Sequence, residues 1–475
     1  MEFAFQQSCS FDVLPVMMLL NTMCVFSGKN KLDSAQSARF KKCVKCGEVI
    51  PLVSEESITV SCRITQNAFN YFDLIFSMIL ELSRRIEHFG AVRFHDTQRV
   101  YELDSGMKKF PTKAREAVAT ISSEDIGKIN QKMAIVVPIK DERLRLLEGV
   151  LSGIPHDCYV IVVSGSRRHP VDRFMMEVQL LKRFNHFVGD EILVIHQHDP
   201  GLSETFRSAG FDSILDETWS VRKGKAEAMF IGVLLAKMLG KEYVGFIDAD
   251  NYVPGAVHEY VEIYAAGFSQ AESPFSMVRV SWIYKPKIAE NGPFFAKFGR
   301  ISAVSNDCIN LLMSSYTGFG TEIIKTANSG EHAISMQLAE LLYYASGFAV
   351  EPYEIINLME QFGGVIPAPS QAASQAALLG VDVFQIESRN PHLHEEKGEG
   401  HINEMLLSSI GAIYHSQICP PKLKDSIVSI CTRHGFEVKG EEIPNPAKIK
   451  PPCELDIAKF AAEVHKNSQT LIELK

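Results

Sequence analysis

The feature that most constrains the fold of this chain is a regular alternation of apolar runs and helical patterns that begins near residue 132. Strand-like apolar runs occur at 133–142, 159–166, 191–197 and 243–251. The segments between them have helical patterns, and the clearest of these covers 222–240. This alternation is typical of a mostly parallel sheet with helices on both faces. The sequence therefore predicts an α/β fold in which ligands bind beyond the carboxyl ends of the strands.

The composition limits the classes of function that such a fold could serve here. The 48 basic and 57 acidic residues give a net charge of −9, so no overall positive field attracts nucleic acid. The ten cysteines show no regular framework, which indicates reduced thiols. We expect a cytoplasmic protein that binds neither nucleic acid nor membrane.

The first 85 residues contain little that points to chemistry. The apolar stretch 11–26 is shorter than the ~20 residues of a membrane span and is interrupted by polar residues and a proline. Cys43 and Cys46 form one CxxC pair, but a structural zinc site needs four ligands. Apolar residues at helical spacing in 67–89 predict an amphipathic packing helix.

The run "VGFIDADNYVPGAV" contains two carboxylates, Asp248 and Asp250, that are separated by one alanine. Side chains two residues apart in an extended segment share a face, so both carboxylates should point into one crevice. Carboxylates this close repel unless a cation lies between them, and hard oxygen ligands suit Mg²⁺ or Mn²⁺. The alternative is a solvated strand end, since short Asp-x-Asp strings are common by chance.

A basic cluster in "VRKGKAEAM" precedes the helical pattern at 222–240. Its residues Arg222, Lys223 and Lys225 would lie near the backbone N–H groups of a helix N-terminus, which is a natural diphosphate site. The spacing is not that of a P-loop. The alternative is a basic cluster on the protein surface.

Three of the fifteen histidines, His392, His394 and His401, cluster after the strand-like run 381–387. Imidazole is a common metal ligand, so we expect one of the three to complete the metal site. His392 is favoured over the other two because Pro391 fixes the backbone directly before it.

Several longer strings carry a family resemblance. In chain order they are "VVPIKDE", "VVSGS", "RKGKAE", "GFIDADNYVPGAVHEY", "TANSGEHA" and "IESRNPHLHEEKGEGH". They resemble the mannosyl-3-phosphoglycerate synthase family, whose members are GT-A-type retaining glycosyltransferases, and the resemblance covers roughly 86–475. It implies a GT-A-like nucleotide-sugar-binding domain that moves mannose from GDP-mannose to 3-phosphoglycerate with Mg²⁺ and with retention, giving mannosyl-3-phosphoglycerate.

The resemblance also assigns roles to residues of the predicted strand ends. It implies that Lys225 contacts the diphosphate and that Asp248 and Asp250 hold the metal that bridges both phosphates. The residues assigned to the donor nucleotide are Pro138, Lys140, Glu142, Ser164, Gly165 and Ser166, with Arg222 beside Lys225.

The acceptor side is expected to involve the segment "SSYTGFGTEIIKTANSGEHA", which is richer in glycine than the family pattern suggests. Two glycines around an aromatic residue let backbone N–H groups approach a phosphoglycerate closely, although a flexible turn explains them equally well. We expect Glu331 to contact the mannose hydroxyls. The residues expected at the acceptor are Thr317, Gly318, Gly320, Thr321 and His332.

These assignments divide the chain into four parts. We expect an extension of unknown role at 1–85, a lead-in segment at 86–131, a GT-A-like nucleotide-sugar-binding and catalytic domain at 132–345, and a smaller, helical C-terminal region at 346–475 that completes the metal and acceptor sites. The sequence leaves the oligomeric state open, and a homodimer is one option.

Other classes of protein fit the sequence less well. A nucleotidyltransferase of similar fold usually has a glycine-rich loop after the first strand, whereas "VVPIKDER" contains no glycine. An aspartyl phosphatase needs a small hydroxyl residue after its Asp-x-Asp, whereas Asn251 and Tyr252 follow here. A non-catalytic nucleotide-sugar-binding protein stays open, because sequence does not prove turnover.

Overall fold

The computed structural model of the 475-residue chain describes residues 40–42, 49–51, 77–102, 118–284, 287–289, 292–294, 299–395 and 398–474. The chain separates into two compact units, 1–69 and 70–475. The stretch 11–26 and the pair Cys43 and Cys46 lie outside the described residues. In the first unit, β1 (Phe40–Lys42) pairs with β2 (Val49–Pro51) in antiparallel fashion.

The second unit contains the other described strands. They are β3 (Ser77–Glu81), β4 (Ile86–Phe89), β5 (Val92–His95), β6 (Gln98–Glu102), β7 (Val118–Ser122), β8 (Met133–Ile139), β9 (Tyr159–Ser164), β10 (Ile192–His196), β11 (Tyr243–Phe246), β12 (Ser276–Ser281), β13 (Lys287–Ala289), β14 (Gly292–Phe294), β15 (His332–Ser335), β16 (Tyr344–Ala345), β17 (Val381–Glu387), β18 (His394–Glu395), β19 (Lys448–Ile449) and β20 (Ile472–Leu474).

The described α-helices all belong to the same unit. They are α1 (Ser123–Gln131), α2 (Leu144–Gly153), α3 (Arg173–Val188), α4 (Pro200–Ser208), α5 (Lys225–Met238), α6 (Pro254–Ser269), α7 (Arg300–Thr317), α8 (Met336–Ala339), α9 (Val350–Phe362), α10 (Gln371–Leu379), α11 (Glu399–Tyr414), α12 (Pro421–Arg433) and α13 (Ile457–Asn467). None of the described helices is both long enough and apolar enough to span a bilayer.

Thirteen of the described strands form one large sheet. From edge to edge its order is β20-β10-β9-β8-β11-β15-β12-β17-β6-β3-β7, and β5, which pairs with β4, also pairs with β17. Strands β10, β9, β8 and β11 are parallel, β15 is antiparallel to both neighbours, and β17 is parallel to β12. Strands β8, β9, β10, β11, β12 and β17 therefore run in the same direction, and their carboxyl ends lie at the same edge of the sheet.

Burial explains why these segments form strands and covering helices. The first five residues of β8, Met133 to Val137, are fully buried, as expected for a strand covered on both faces. Helix α5 is buried from Ala226 to Ala236, a span that is apolar except for Glu227, and it packs against β8 and β9 and against α13. The predicted α/β fold with a largely parallel sheet flanked by helices is confirmed.

Two expectations about the organisation of the chain differ from the structure. The predicted helix at 67–89 is wrong over its described residues, because 77–89 forms β3 and β4. Met78 and Leu80 of β3 are buried while Ile79 between them is only partly buried, which is the alternation of a strand. The division at residue 345 is not a structural boundary, because β17 of the C-terminal region pairs with β12 inside the sheet.

Candidate functional site

A cleft of about 1350 Å³ opens at the carboxyl ends of the parallel strands. Each strand end contributes polar residues to its wall, because the chain leaves the sheet there and turns into a helix. The lining residues include Pro138 at the end of β8, Lys140 and Glu142 after it, Gly165 and Ser166 after β9, Gln197 and His198 after β10, and Asp248 and Asp250 after β11.

The two carboxylates of the Asp-x-Asp segment face this cleft together. Strand β11 ends at Phe246, and the chain then turns at 249–250, with buried residues at Ile247 and Ala249. Asp248 and Asp250, which alternate with them, are partly exposed and line the cleft. Both carboxylates therefore line the same cleft, although the segment between them is a turn and not the extended chain that the spacing argument assumed.

The first residue of α5 lies between two acidic side chains of the cleft. The Lys225 ammonium nitrogen is 2.5 Å from Oδ1 of Asp248 and 2.8 Å from Oε1 of Glu351. Burial alone lowers the pKa of Lys225, but the charges of the two carboxylates outweigh burial and raise its pKa above the usual lysine value. Lys225 is therefore a permanent cation at a helix N-terminus.

The close approach of Asp248 and Lys225 depends on a glycine. A Cβ atom at Gly330 would lie 2.5 Å from Oδ2 of Asp248 and 3.1 Å from the Lys225 nitrogen. Any larger residue would push the carboxylate away from its position. The glycine of "NSGEHA" thus leaves room for the Asp248 carboxylate and the Lys225 ammonium group in their observed positions.

The loop after β9 is held by a buried carboxylate. Ser164 and Ser166 each donate a hydroxyl hydrogen bond of 2.6 Å to Glu177 on α3. Burial raises the pKa of Glu177, although the two serine hydroxyls act in the opposite direction. Gly165 and Ser166 line the cleft, whereas Ser164 is fully buried and does not. Ser164 therefore shapes the loop and has no surface in the cleft.

Arg222 is held by contacts with other residues of the protein and does not face the cleft. Its guanidinium donates to the carbonyl oxygens of Ser213 and Leu215 at 2.6 and 3.0 Å and lies 3.2 Å from Oε1 of the buried Glu227. It does not line the cleft, whereas its neighbours Lys223 and Lys225 do. The structure thus separates Arg222 from the other two members of the basic cluster.

Glu331 lies behind the cleft wall. It is fully buried, and its Oε1 accepts a hydrogen bond of 2.9 Å from the side chain of Asn251 and lies 3.6 Å from Nδ1 of His392. The imidazole of His392 stacks on Trp282 with ring centres 4.6 Å apart. Glu331 therefore supports the residues of the wall and has no surface in the cleft itself.

The structure places two of the three candidate histidines at the cleft. His392 and His401 line it, and His401 lies edge-on to Phe348 at 5.0 Å. The side chain of His394, in β18, is outside what the structure describes. Among the described residues, no three His, Cys, Asp or Glu side chains come close enough together to hold a metal ion by themselves.

The residues predicted for the acceptor do not reach the cleft. Thr317 is the last residue of α7, and the hydroxyl of Thr321 donates to Glu87 at 2.5 Å, whereas residues near the start of α7 line the cleft. An 18-residue helix is roughly 27 Å long, so the two ends of α7 are far apart. Neither these two residues nor Gly318, Gly320 and His332 line the cleft.

His332 instead belongs to a buried charged network under the site. Its Nε2 lies 3.1 Å from Oε1 of Glu354, and the other carboxylate oxygen of Glu354 is 2.7 Å from Nη1 of Arg279. Arg279 also donates to the backbone oxygen of Glu351 at 3.0 Å. The network therefore fixes the start of α9, and with it the carboxylate that contacts Lys225.

The sequence patterns missed the residues that α7, α9 and α11 bring to the cleft from their N-terminal turns. A glycine before a helical pattern was the available signal, since Gly299 and Gly398 are the N-cap residues of α7 and α11. No local pattern indicates that these helices meet the strand ends. The missed lining residues supplied in this way include Gly299, Ile301, Ser302, Glu351 and Ile402, and they lie beside His401, which the sequence had already indicated as a candidate.

Comparison with known proteins identifies the family. The profile of the mannosyl-3-phosphoglycerate synthase family matches residues 82–464. The chain is 43% identical over 395 residues to mannosyl-3-phosphoglycerate synthase of Pyrococcus furiosus and 38% identical over 399 residues to that of Aeropyrum pernix. Each comparison covers 83% of this chain and 99% of the relative.

Solved structures of glucosyl-3-phosphoglycerate synthase from Mycobacterium tuberculosis are more distant. The complex with phosphoglyceric acid is 16% identical, covers 62% of this chain and 85% of that chain, and gives a TM-score of 0.41. The complex with Mn²⁺, UDP and glucosyl-3-phosphoglycerate gives a TM-score of 0.40 over the same shares at the same identity. The family match, together with the two relatives aligned over nearly their full length, shows that this chain belongs to the mannosyl-3-phosphoglycerate synthase family.

Proposed function

We propose that the protein transfers mannose from GDP-mannose to 3-phosphoglycerate with retention of configuration at the anomeric carbon. The observation that carries the proposal is the position of Lys225, a partly buried cation at the start of α5 that faces Asp248 in the cleft. This arrangement suits a donor that carries a diphosphate, because a helix N-terminus and an ammonium group both favour anions. Family membership supplies the substrates of the proposal.

The donor nucleotide is assigned to the strand ends on the β8 and β9 side of the cleft. The resemblance assigns Pro138, Lys140, Glu142, Gly165 and Ser166 to the nucleotide, and these residues line this part of the cleft. The backbone N–H of Asp141 donates to the hydroxyl of Ser166 at 2.7 Å, which ties the two loops together. A nucleotide bound here would meet loops whose shape is already set.

We assign a divalent cation, Mg²⁺ or Mn²⁺, to Asp248, Asp250 and His392. The donor set fits, because Mg²⁺ is usually held by one or two carboxylates together with substrate phosphates and waters. A site of this kind does not require three protein side chains already in contact. When bound, the cation would neutralise negative charge on the diphosphate leaving group.

The side chains of this protein have separate tasks in the proposed reaction. Lys225 donates hydrogen bonds to a diphosphate oxygen and keeps its charge throughout, because its raised pKa prevents loss of the proton. Glu331 is too buried to meet the mannose hydroxyls, so we assign it to the support of Asn251 and His392. Retention follows from a same-face displacement, in which a donor phosphate oxygen takes the proton of the acceptor hydroxyl.

The acceptor is assigned to the opposite part of the cleft, at the N-termini of α7 and α11. Ser302 of α7, Asn328 and His401 of α11 line this part. 3-Phosphoglycerate carries a phosphate and a carboxylate, and the positive ends of two helix dipoles favour both. This assignment replaces the loop around Gly318 and Gly320, which lies elsewhere.

The test is to incubate the purified protein with GDP-mannose, 3-phosphoglycerate and Mg²⁺ and to analyse the product by NMR. We expect mannosyl-3-phosphoglycerate with the anomeric configuration of the donor. A panel of other nucleotide sugars and phosphorylated acceptors provides the comparison. Release of mannose 1-phosphate would indicate a nucleotidyltransferase, and nucleotide-sugar binding without any product would indicate a binding protein; either result overturns the proposal.

A further inference from the structure

The last residues of the chain form part of the cleft. Gln469 and Thr470 line it next to His196, Gln197 and His198, which follow or end β10. The family match stops at residue 464, before this segment. Neither the donor nor the acceptor assignment above accounts for these two residues.

A buried carboxylate holds the segment in place. Oδ2 of Asp199 accepts hydrogen bonds from the hydroxyl of Ser468 at 2.9 Å, from the backbone N–H of Gln469 at 2.9 Å and from that of Thr470 at 2.8 Å. Its Oδ1 accepts from the backbone N–H of Leu202 at 3.1 Å and so caps α4. With 1% of its surface exposed, Asp199 fixes the segment 468–470 to the start of that helix.

Two further contacts fix the same position. A Cβ atom at Gly201 would lie 1.9 Å from the carbonyl oxygen of Asn467, so only glycine allows the two backbones to approach. The hydroxyl of Thr470 accepts from the backbone N–H of His196 at 3.1 Å, and β20, which follows, pairs with β10. The C-terminal segment is therefore a fixed wall of the cleft.

The side chain of Gln469 is free to meet a ligand. It is exposed, and none of the described residues hydrogen-bonds its carboxamide, while its backbone N–H is held by Asp199. In contrast, Asp172, which lines the same part, caps α3 and pairs with Arg168 at 2.8 Å. A carboxamide both donates and accepts, which matches the edge of a nucleobase.

The distance across the sheet places a base near this side chain. The order β10-β9-β8-β11 puts three strand spacings between the ends of β11 and β10, or roughly 14 Å at about 4.8 Å per spacing. A nucleoside diphosphate with its phosphates at Asp248 and Lys225 would span a comparable distance in extended form. Its base would then reach the ends of β9 and β10, beside the C-terminal segment.

We infer that Gln469 contacts the base of the donor nucleotide and contributes to its selection, and that Asp199 is the positioning residue that presents Gln469. The inference rests on the proposed function, since it takes the ligand to be a nucleoside diphosphate sugar. It adds a determinant of base specificity from the last residues of the chain.

The experiment measures binding of GDP, ADP and UDP to the full-length protein in excess Mg²⁺ by calorimetry. For Gln469→Ala we expect GDP binding to weaken about 5- to 150-fold, the range for loss of a paired contact to a base edge, with little change for ADP and UDP. Gln375→Ala, an exposed glutamine on α10 outside the cleft, is the matched control.

Asp199→Asn tests the positioning role by steady-state kinetics. We expect a higher KM for the donor with an unchanged kcat at saturating donor, a split that a general loss of folded protein would not give. If this variant does not fold, Gln469→Ala decides alone, because its side chain is exposed. Equal GDP affinity for Gln469→Ala and wild type, or equal weakening of all three nucleotides, overturns the inference. If the wild-type protein binds no nucleoside diphosphate, the proposed function itself fails.

Discussion

The ammonium group of Lys225 lies 2.5 Å from the carboxylate of Asp248, and this pair joins the start of α5 to the end of β11. The two residues come from neighbouring βα units, and the pair is closed on its far side by Glu351 of α9 at 2.8 Å. Lys225 therefore connects the end of β11 with the start of α9, which comes about 100 residues later in the chain.

Replacement of Lys225 by methionine is expected to weaken donor binding. A hydrogen bond to a charged group contributes about 1.5–3 kcal/mol, so the GDP-mannose KM and the GDP Kd should rise about 10- to 150-fold. Lys237→Met is the control, because Lys237 is on the same helix but pairs with Glu340 at 2.9 Å, outside the cleft. Unchanged donor affinity and turnover in Lys225→Met would show that Lys225 does not contact the diphosphate.

The metal assignment is tested by binding of Mn²⁺ in the presence of GDP, followed by electron paramagnetic resonance. Asp250→Asn should abolish tight binding, and His392→Ala should weaken it about tenfold or more, which corresponds to ~1.4 kcal/mol. His401→Ala should bind Mn²⁺ like the wild type, because its ring packs against Phe348. If His392→Ala and His401→Ala both match the wild type, neither of these two histidines is a metal ligand.

The position of β3 predicts where the chain can be shortened. A protein that begins at Met78 keeps most of β3, which lies between β6 and β7, and should fold and keep its activity. A protein that begins at residue 86 lacks β3, including the buried Met78 and Leu80, and should be less stable or insoluble. Circular dichroism and thermal unfolding of both proteins provide the measurement. Equal stability of the two would show that β3 contributes little to the fold.

Gly330→Ala is expected to lower kcat with little effect on folding. The new Cβ would meet Oδ2 of Asp248 at 2.5 Å, so the carboxylate must move and its contact with Lys225 must change. Gly255→Ala is the control, since a Cβ there meets nothing within 4 Å. Thermal unfolding and steady-state kinetics separate the two effects. Wild-type kinetics in Gly330→Ala would mean that the position of the Asp248 carboxylate is not critical.

Asp382 is expected to make the fold sensitive to acid. Burial raises its pKa, but hydrogen bonds from His95 and from Arg93 at 2.6 Å outweigh burial and hold the pKa well below the usual value of 3.8. The carboxylate therefore contributes stability that is complete above pH 3.8 and is lost as the pH falls toward the folded-state pKa.

Asp382→Asn should remove this part of the acid dependence and lower the free energy of unfolding near pH 7 by about 3 kcal/mol, as for a broken buried ion pair. Urea unfolding between pH 7 and the acid limit measures both quantities. Asp425→Asn, on the exposed face of α12, is the control. An unchanged slope of stability against pH in Asp382→Asn would contradict the expected role.

The sequence by itself determined the sheet and the part of the site that lies on it. Continuous apolar runs are stabilised by burial, and their length and spacing are those of strands in a covered parallel sheet. Strands β8, β9, β10 and β11 were therefore predictable from the sequence alone. The same local rules indicated Asp248 and Asp250 as cleft residues after β11 and placed Lys225 at a helix N-terminus. Each of these features depends on residues that are close together in the chain.

Tertiary structure decided the remaining features, because they depend on residues that are far apart in the chain. Glu331 was predicted to contact the ligand, but it is buried and hydrogen-bonded to Asn251, so it supports the cleft wall instead. Thr317 was predicted at the acceptor, but it lies at the far end of α7 from the cleft. Contacts such as Asp199 with Thr470 and Lys225 with Glu351 join segments that no local pattern relates. Helix and strand propensity and hydrophobic periodicity are properties of a few neighbouring residues, whereas burial and charge pairing depend on how the whole unit 70–475 packs.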